Sequence, residues 1–311
     1  MTVNEAIQLF FAEQEVRNNS PKTIAVYKQR LGYFNRFIGN MDISVLQYSD
    51  VQRYIVWLKS KVKNSNHPYA IVRDEQLSDV TIQSYVRDVR SFVNFCLERK
   101  YIKNDTFDYF RLPKAKKTII EILDEETIKK LFAFCDKNNN KKIALRNKVI
   151  ISLMVDCGLR VNEVVTLKIS NIKLNDNILK VLGKGNKERY VPFGDFTRKL
   201  LESYIRKYRV PQEDLLLINE YGKPVGYYGV KKLFQKIRKY TRNDKIHPHL
   251  LRHTFATKYL INGGDITSLK MILGHTSLKM VEHYLHLAEQ FTINKYKQFS
   301  IMDRLKRLGD D

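Results

Sequence analysis

Residues 178–192, ILKVLGKGNKERYVP, contain the clearest β-strand signal in the chain. Two short runs rich in strand-forming residues, 178–182 and 188–192, flank a segment with glycine at positions 183 and 185. This pattern predicts a β-hairpin, because glycine permits the backbone conformations of a tight connection. Most of the remaining chain has the three- and four-residue apolar spacing of helices. We therefore predict a mainly α-helical fold with a small β-sheet.

The first hundred residues contain four helix signals. The predicted helices begin near Thr2, Pro21, Ser49 and Asp79. Thr2 and Glu5 have the spacing of a capping box, and Ser20 with Pro21 is a typical helix start. The stretch Lys61–Ser78 shows no helical period, so it is predicted to be a loop. Residues 1–112 are therefore predicted to form a four-helix domain.

The second part of the chain is predicted to be a larger α+β domain. The basic run at 113–118, which contains a proline, is predicted to be a linker. Asp124 then caps a helix, and a longer helix at 141–157 is stopped by Gly158. With 311 residues the chain exceeds what one hydrophobic core usually serves. We therefore predict a second domain over residues 119–311, mostly helical after the hairpin.

Charge indicates the kind of partner. The chain carries 55 Lys plus Arg against 33 Asp plus Glu, which gives a formal net charge of +22 at pH 7. Residues 1–117 hold 19 basic and 12 acidic side chains, and residues 118–311 hold 36 and 21. An excess in both halves predicts a polyanionic partner, either a nucleic acid or an acidic membrane surface.

Other features of the sequence bear on its location. No apolar run approaches the roughly 18 residues of a membrane span. The N-terminus has no basic segment before its apolar stretch, unlike a secretory signal peptide. The three cysteines are an odd number at long spacings, which is typical of free thiols in a reducing compartment. We therefore expect a cytoplasmic protein.

Four motifs in the second domain combine basic, histidine and tyrosine side chains. They are CGLRVNEVVTL at 157–167, GKGNKERYVP at 183–192, HPHLLRHTFATKYL at 247–260 and LGHTSLKMVEHYLH at 273–286. Arg160 follows a glycine helix stop, where its planar guanidinium group is presented to a ligand. His249 and Arg252 lie three residues apart, on one face near a helix N-terminus that favours anions. Tyr284 lies nine residues after His275.

Taken singly, these residues also have structural interpretations. Arg160 is at the spacing of a surface ion pair with Glu163, and Lys184 is typical of a solvated hairpin tip. The chain has 18 tyrosines, most of which belong in amphipathic cores, so Tyr284 alone indicates little.

The histidines also permit a metal interpretation, in which the ligands of a zinc ion are His247, His249 and His253. No carboxylate or thiolate cluster accompanies them, and Arg252 would stand beside the metal. We therefore expect no metal ion at this place.

Together the motifs suit attack on a phosphodiester. Fixed cationic donors stabilise the extra negative charge of a pentacoordinate phosphorus more than that of the ground state. A tyrosine with an ordinary pKa of about 10 needs a group that takes its proton. The departing sugar oxygen needs a proton, for which Lys184 is a natural donor. A covalent phosphotyrosine keeps the energy of the broken bond, so no cofactor is expected.

The sequence resembles the tyrosine recombinase family, also called phage-integrase or lambda-integrase-like, and is close to the Xer type. The residues that match in order are Arg160, Lys184, His249, Arg252, His275 and Tyr284. The segment SPKTIAVYKQRLGYFNRF at 20–37 extends the resemblance to nearly the whole chain. The resemblance implies an N-terminal SAM-like core-binding domain and a C-terminal α+β catalytic domain.

The resemblance also implies roles for these residues. Arg160 and Arg252 would bind the scissile phosphate, and Tyr284 would attack it to give a 3′-phosphotyrosine. Lys184 would protonate the 5′-oxygen and His249 would do acid–base work. His275 would hydrogen-bond a phosphate oxygen. Glu163 would buttress the first arginine and the histidines without contacting the DNA.

The implied assembly is a homotetramer on two double-stranded DNA sites with inverted-repeat core sequences, which exchanges strands through a Holliday junction. An apolar stripe in the C-terminal segment predicts docking in trans on a neighbouring protomer; the alternative is packing on its own domain. Its residues are Phe291, Tyr296, Phe299, Met302 and Leu305. The expected location is the cytoplasm, in association with the nucleoid and with no membrane partner.

We expect the recombinase to be the integrase or transposase of a mobile element. The alternatives are a housekeeping Xer-type recombinase that resolves replicon dimers, a topoisomerase IB-like enzyme and a telomere resolvase. A DNA-binding architectural protein that has lost catalysis is disfavoured, because all six expected active-site residues are present.

Overall fold

A computed structural model describes residues 1–62, 75–103, 107–108, 110–114, 121–183, 187–208, 214–275, 277–278, 280–282, 284–285 and 300. The chain divides into two compact units, Met1–Ile119 and Ile120–Asp311. Residues 115–118 of the predicted linker lie outside the described residues, so the linker remains a prediction. None of the helices within the described ranges is long and apolar enough to cross a membrane.

The first unit contains the four predicted helices. They are α1 (Val3–Val16), α2 (Pro21–Ile38), α3 (Tyr48–Lys59) and α4 (Asp79–Glu98), with a short 3-10 helix, Ile43–Val45, before α3. The capping box of α1 is confirmed: the Thr2 hydroxyl accepts from the Glu5 N–H at 3.2 Å, and the Glu5 carboxylate accepts from the Thr2 N–H at 2.8 Å. Ser20 caps α2 with one bond: its hydroxyl accepts from the N–H of Thr23 at 3.1 Å.

Aromatic side chains fill the core of the first unit. Phe10 is buried, and its ring makes edge-on contacts with Tyr27, Phe92 and Phe95 at centroid distances of 5.2, 5.9 and 5.6 Å. These residues come from α1, α2 and α4, so the ring contacts join three helices. Within the predicted loop, Val62 and Gln76 form an antiparallel bridge, and residues 63–74 lie outside the described residues.

The described residues of the second unit form seven α-helices, a 3-10 helix (Ile169–Asn171) and a small sheet. The helices are α5 (Glu125–Asp136), α6 (Lys141–Val155), α7 (Val161–Val165), α8 (Asp195–Tyr208), α9 (Tyr227–Thr241), α10 (Pro248–Ile261) and α11 (Ile266–Leu273). Strands β1 (Ile172–Lys173), β2 (Ile178–Leu182) and β3 (Glu188–Pro192) form an antiparallel sheet in the order β1-β2-β3. The predicted hairpin is confirmed, while the two-residue strand β1 was not predicted.

The hairpin register decides which side chains face the core. Leu179 pairs with Val191, and Val181 pairs with Arg189. Leu179, Val181 and Val191 are buried, whereas Tyr190 is exposed. Because side chains alternate along a strand, Arg189 lies on the same inward face as Val191.

Helix α6 is central to the second unit and leads to the site. It packs against α5, α8 and α10, and residues 149–154 are buried. The helix ends at Val155, two residues before the predicted end, and Gly158 then takes a φ of +63° in the left-handed region. A Cβ atom at Gly158 would lie 2.4 Å from Cδ1 of Phe255, so glycine is required both by conformation and by space.

Candidate active site

Arg160 lies at the corner formed by Gly158. Its backbone N–H donates to Oε2 of Glu163 at 2.8 Å, and its Nη1 donates to Oε1 of Glu163 at 3.0 Å and to the Leu273 carbonyl at 3.2 Å. The side chain of Arg160 is 37% exposed, whereas that of Glu163 is only 5% exposed. The ion pair of the structural interpretation therefore exists, but it leaves Arg160 accessible to a ligand.

Arg189 holds the same carboxylate from the other side. Its Nη1 and Nη2 donate to Oε1 and Oε2 of Glu163, each at 2.9 Å, and its Nε donates to the Ile272 carbonyl at 2.7 Å. The Arg189 side chain is 11% exposed. Burial raises the pKa of the Glu163 carboxyl, but the hydrogen bonds and charge of Arg189, with those of Arg160, outweigh it and lower the pKa overall. Glu163 is therefore ionised at neutral pH.

Arg252 is the most deeply buried cation of the site, with 1% of its surface exposed. Its Nη1 donates to the Gly158 carbonyl at 2.6 Å, and its Nη2 donates to the Leu273 carbonyl at 2.7 Å. Within the described part of the chain, its buried Nε has no hydrogen-bond partner. Burial lowers the pKa of Arg252 to about 10, and the charge of Arg160 acts in the same direction. The group stays protonated at neutral pH.

The C-terminal end of α11 brings the three arginines together. The Leu273 carbonyl accepts from both Arg160 and Arg252, and the Ile272 carbonyl accepts from Arg189. Carbonyl groups at a helix C-terminus lack partners within the helix and carry partial negative charge, so they bind cations. The helix end therefore fixes the positions of three guanidinium groups.

His275 follows this helix end directly. Gly274 ends α11 with a φ of +64°, and the Nε2 atom of His275 lies 2.9 Å from Nη2 of Arg252. A guanidinium group only donates, so this Nε2 accepts. Burial lowers the pKa of His275 to about 4, and the charges of Arg252 and Arg160 add to the effect. His275 is therefore neutral at neutral pH.

Tyr284 lies beside the histidines and is 3% exposed. Its ring centroid is 5.3 Å from that of His253 and 6.4 Å from that of His275, and it packs in an apolar cluster with Leu269 and Val281. Burial raises the pKa of the Tyr284 hydroxyl, and the charges of Arg252 and Arg160 oppose the rise. The pKa remains above its ordinary value, so the hydroxyl is protonated at neutral pH and needs a group that takes its proton.

His249 completes the group on helix α10. Its ring lies 4.3 Å from that of His253, one turn further along the helix. Burial lowers the pKa of His249, as do the charges of Arg252 and His247, so the ring is neutral and able to accept a proton at neutral pH. No group of three or more His, Cys, Asp or Glu side chains in the described ranges is placed to hold a metal ion.

Six of the seven predicted site residues fall in one cluster of the second unit. They are Arg160, Glu163, His249, Arg252, His275 and Tyr284. The seventh, Lys184, lies outside the described residues, as does most of the C-terminal segment predicted to dock in trans.

Two residues of the cluster were not assigned to the site. His253 was considered only as a zinc ligand, although its place four residues after His249 puts both rings on one helix face. The motifs do not single out Arg189, although the hairpin pattern places it two residues before the apolar Val191 on the inward face. An arginine on such a face requires a buried acidic partner, but the local sequence does not identify that partner.

Comparisons with known proteins identify the family. Residues 121–290 match the phage integrase family, and residues 2–119 match the phage integrase SAM-like domain. The chain is 33% identical over 280 residues to the tyrosine recombinase XerC of Staphylococcus epidermidis. The matched region covers 88% of this chain and 89% of that protein. It is 31% identical over 290 residues to XerC of Listeria welshimeri, with 90% and 92% covered.

The fold is also found in a solved structure. The Tn1549 transposon integrase, in complex with transposon right end DNA, superposes with a TM-score of 0.72 at 18% identity, covering 91% of this chain and 94% of that chain. This likeness concerns the fold, whereas the sequence matches concern the family. The chain belongs to the phage integrase family and is a site-specific tyrosine recombinase, an enzyme that breaks and rejoins DNA.

Proposed function

We propose that this recombinase cleaves a DNA strand by attack of Tyr284 on a phosphodiester held by Arg160 and Arg252. The observation that carries the proposal is that these two guanidinium groups share the Leu273 carbonyl beside a buried tyrosine, and that their charges oppose the rise that burial causes in the pKa of this tyrosine. The hydroxyl oxygen of Tyr284 forms a bond to phosphorus while the bond from phosphorus to the 5′-oxygen breaks. The product is a 3′-phosphotyrosine and a free 5′-hydroxyl.

The two arginines would stabilise the charge of the transition state in different ways. Arg160 is partly exposed and is held at one edge by Glu163, so its outer donors are available to a phosphate oxygen. Arg252 keeps its Nη groups on two carbonyls, and its buried Nε lacks a partner among the described residues. A buried donor without an acceptor is costly, so an incoming phosphate oxygen would gain a strong hydrogen bond there.

The proton of Tyr284 has a natural acceptor in a neutral histidine. His249 has a lowered pKa and therefore an unprotonated ring nitrogen at neutral pH. Nε2 of His275 accepts from Arg252 in this structure. When a phosphate binds Arg252, Nε2 would instead carry the proton of the neutral ring and donate to a phosphate oxygen. Lys184, outside the described residues, would give a proton to the departing 5′-oxygen.

A suicide DNA substrate tests the nucleophile. A nick near the cleavage site lets the released fragment diffuse away, so that the covalent adduct accumulates and can be resolved on a denaturing gel. We expect adduct with the unmodified protein and none with Tyr284→Phe. Tyr228→Phe, at an exposed position of the same unit, is the matched control and should form adduct normally. Adduct formation by Tyr284→Phe would refute the proposal.

The same assay tests the phosphate clamp. Arg160→Ala and Arg252→Ala should each lower the rate of adduct formation by about 10²–10³-fold, the usual effect of removing one transition-state donor. Replacement of an exposed arginine in α8 is the control: Arg206→Ala should form adduct at nearly the rate of the unmodified protein when DNA is saturating.

The proposed partner is double-stranded DNA with inverted-repeat core sites. Four protomers would assemble on it in the cytoplasm, and each protomer would bind the DNA with both of its units. The positive charge of both halves of the sequence supports DNA as the partner. The proposed link between protomers is the C-terminal segment, docked in trans. Truncation after Gln290 should then abolish assembly and strand exchange while leaving the fold intact. Unchanged assembly of the truncated protein would refute the role of the segment.

For the biological role we propose the integrase or transposase of a mobile element with simple sites. A housekeeping Xer-type recombinase is the second candidate, favoured by the relatives named XerC. Binding and cleavage assays separate the candidates when they compare DNA that flanks the gene with a chromosomal dimer-resolution site. Inverted repeats beside the gene that are bound and cleaved would support the mobile element, and cleavage of a chromosomal dimer-resolution site alone would support the housekeeping role.

A further inference from the structure

We propose that Arg189 is a positioning residue for strand cleavage: it holds Glu163 and the end of α11 in the arrangement that orients Arg160 and His275. The inference rests on the proposed function of the site. Arg189 belongs to strand β3, whereas the residues that it would position lie just before α7 and after α11. It would therefore act through these elements and not on the DNA itself.

The first step of the argument is the geometry of the Glu163 carboxylate. Arg189 donates to both of its oxygens at 2.9 Å, in the parallel two-bond arrangement that fixes the plane of a carboxylate. The same two oxygens also accept from Arg160: Oε2 accepts from its backbone N–H at 2.8 Å and Oε1 accepts from its Nη1 at 3.0 Å. The orientation of Arg160 therefore depends on a carboxylate whose own orientation is set by Arg189.

The second step concerns charge. Glu163 is buried and ionised, and it lies 3.0 Å from Nη1 of Arg160 and 4.0 Å from Nη1 of Arg252. Without Arg189 this carboxylate would be neutralised only by the two arginines proposed to hold the phosphate. Arg189 supplies the compensating charge from a nearly buried position, so the charges of Arg160 and Arg252 both remain available to a DNA phosphate.

The third step concerns the end of α11. Nε of Arg189 donates to the Ile272 carbonyl at 2.7 Å, next to the Leu273 carbonyl that Arg160 and Arg252 share. A Cβ atom at Gly274 would lie 3.0 Å from Cδ of Arg189, so the side chain is in close contact with the turn that leads to His275. Arg189 therefore fixes the helix end from which His275 projects.

Only arginine can make this set of contacts. The guanidinium group is planar and offers donors on three nitrogens in a fixed arrangement, while lysine offers one compact ammonium group. Lysine at position 189 would keep the charge but lose the simultaneous grip on both oxygens of Glu163 and on the Ile272 carbonyl. Geometry and charge can thus be separated by two substitutions, Arg189→Lys and Arg189→Gln.

The experiment measures single-turnover cleavage of the suicide substrate at saturating DNA, from about pH 5 to pH 9. Misplacement of a reacting group by about 1 Å costs about 10²-fold, so we expect Arg189→Gln to cleave about 10–100-fold more slowly. Arg189→Lys should also be slowed, but less. Thermal unfolding in parallel reports whether each variant is folded, and Arg189→Lys decides the question if Arg189→Gln does not fold.

The pH dependence separates positioning from mere stability. Removal of Arg189 raises the pKa of Glu163, because burial is then opposed by fewer hydrogen bonds and less positive charge. The acid limb of the cleavage profile should therefore move to higher pH in Arg189→Gln. In Arg189→Gln/Glu163→Gln no such shift relative to Glu163→Gln should occur, since the titrating carboxyl is gone.

A matched control is Lys180→Gln. It removes one positive charge from the neighbouring strand of the same hairpin, where Lys180 pairs with Glu188 at 2.8 Å. Its rate and pH profile should equal those of the unmodified protein. A normal rate and profile in folded Arg189→Lys and Arg189→Gln would overturn the inference, as would a slow rate with an unshifted acid limb. Adduct formation by Tyr284→Phe would instead overturn the proposed function, so the two failures are distinguishable.

Discussion

Replacement of Gly158 by alanine should destabilise the second unit and slow cleavage together. The residue has a φ of +63°, and a Cβ atom there would lie 2.4 Å from Cδ1 and 2.9 Å from Cε1 of Phe255. The left-handed conformation costs a non-glycine residue about 1–2 kcal/mol, and forcing an extra carbon into a packed core costs about 1–3 kcal/mol. The expected loss in the free energy of unfolding is therefore about 2–5 kcal/mol.

The same substitution should also disturb the site, because the Gly158 carbonyl accepts from Nη1 of Arg252 at 2.6 Å. Urea unfolding of the full chain, followed by far-ultraviolet circular dichroism, measures the stability, and the suicide substrate measures cleavage. The matched control is Gly226→Ala, since Gly226 has a φ of −86° and open space around its missing Cβ. The control should stay within about 1 kcal/mol of the unmodified protein.

If the free energy of unfolding of Gly158→Ala equals that of Gly226→Ala within error, the reasoning that conformation and space both require glycine at this corner is refuted. Normal stability with slow cleavage would refute the energetic part alone. It would mean that the backbone relaxes at little cost but no longer presents its carbonyl to Arg252.

Three further predictions concern other parts of the structure. Thr2→Ala removes the cap of α1 and should lower the free energy of unfolding of the first unit by about 1 kcal/mol in urea titrations. Arg252→Lys cannot reach both the Gly158 and Leu273 carbonyls, so cleavage should fall about 10²–10³-fold while DNA binding in a gel-shift assay changes little. The pKa of His275 is lowered from 6.5 to about 4 in the folded state, so the unfolded chain binds more protons between these values, and stability should fall as pH falls through that window. Thermal unfolding of His275→Gln should show a shallower dependence there.

Much of the fold could be predicted because its signals are local. The caps at Thr2, Ser20 and Asp124 begin helices where expected, since a capping side chain bonds to a backbone N–H only a few residues away. The hairpin at 178–192 was equally clear from its glycines. The end of α6 was misplaced by two residues, because the chain leaves the helix at Asp156 before Gly158 makes the turn.

The site was predictable to the extent that it consists of recognisable motifs. The contacts among the motifs were not predictable, since they depend on which carbonyls and carboxylates the tertiary fold brings within reach. Arg189 is the clearest example: its partners Glu163 and Ile272 are 26 and 83 residues away in sequence. No local pattern specifies an interaction over such distances.

The antiparallel register of the hairpin limits the insertions and deletions that the fold tolerates. Arg189 faces inward because it pairs with Val181 on β2. A deletion or insertion of one residue within β3 would exchange the two faces of the strand. Glu188 or Tyr190 would then face the Glu163 carboxylate, and a second acid there would meet like charge in a buried place. Related chains should therefore keep the length of β3 unchanged.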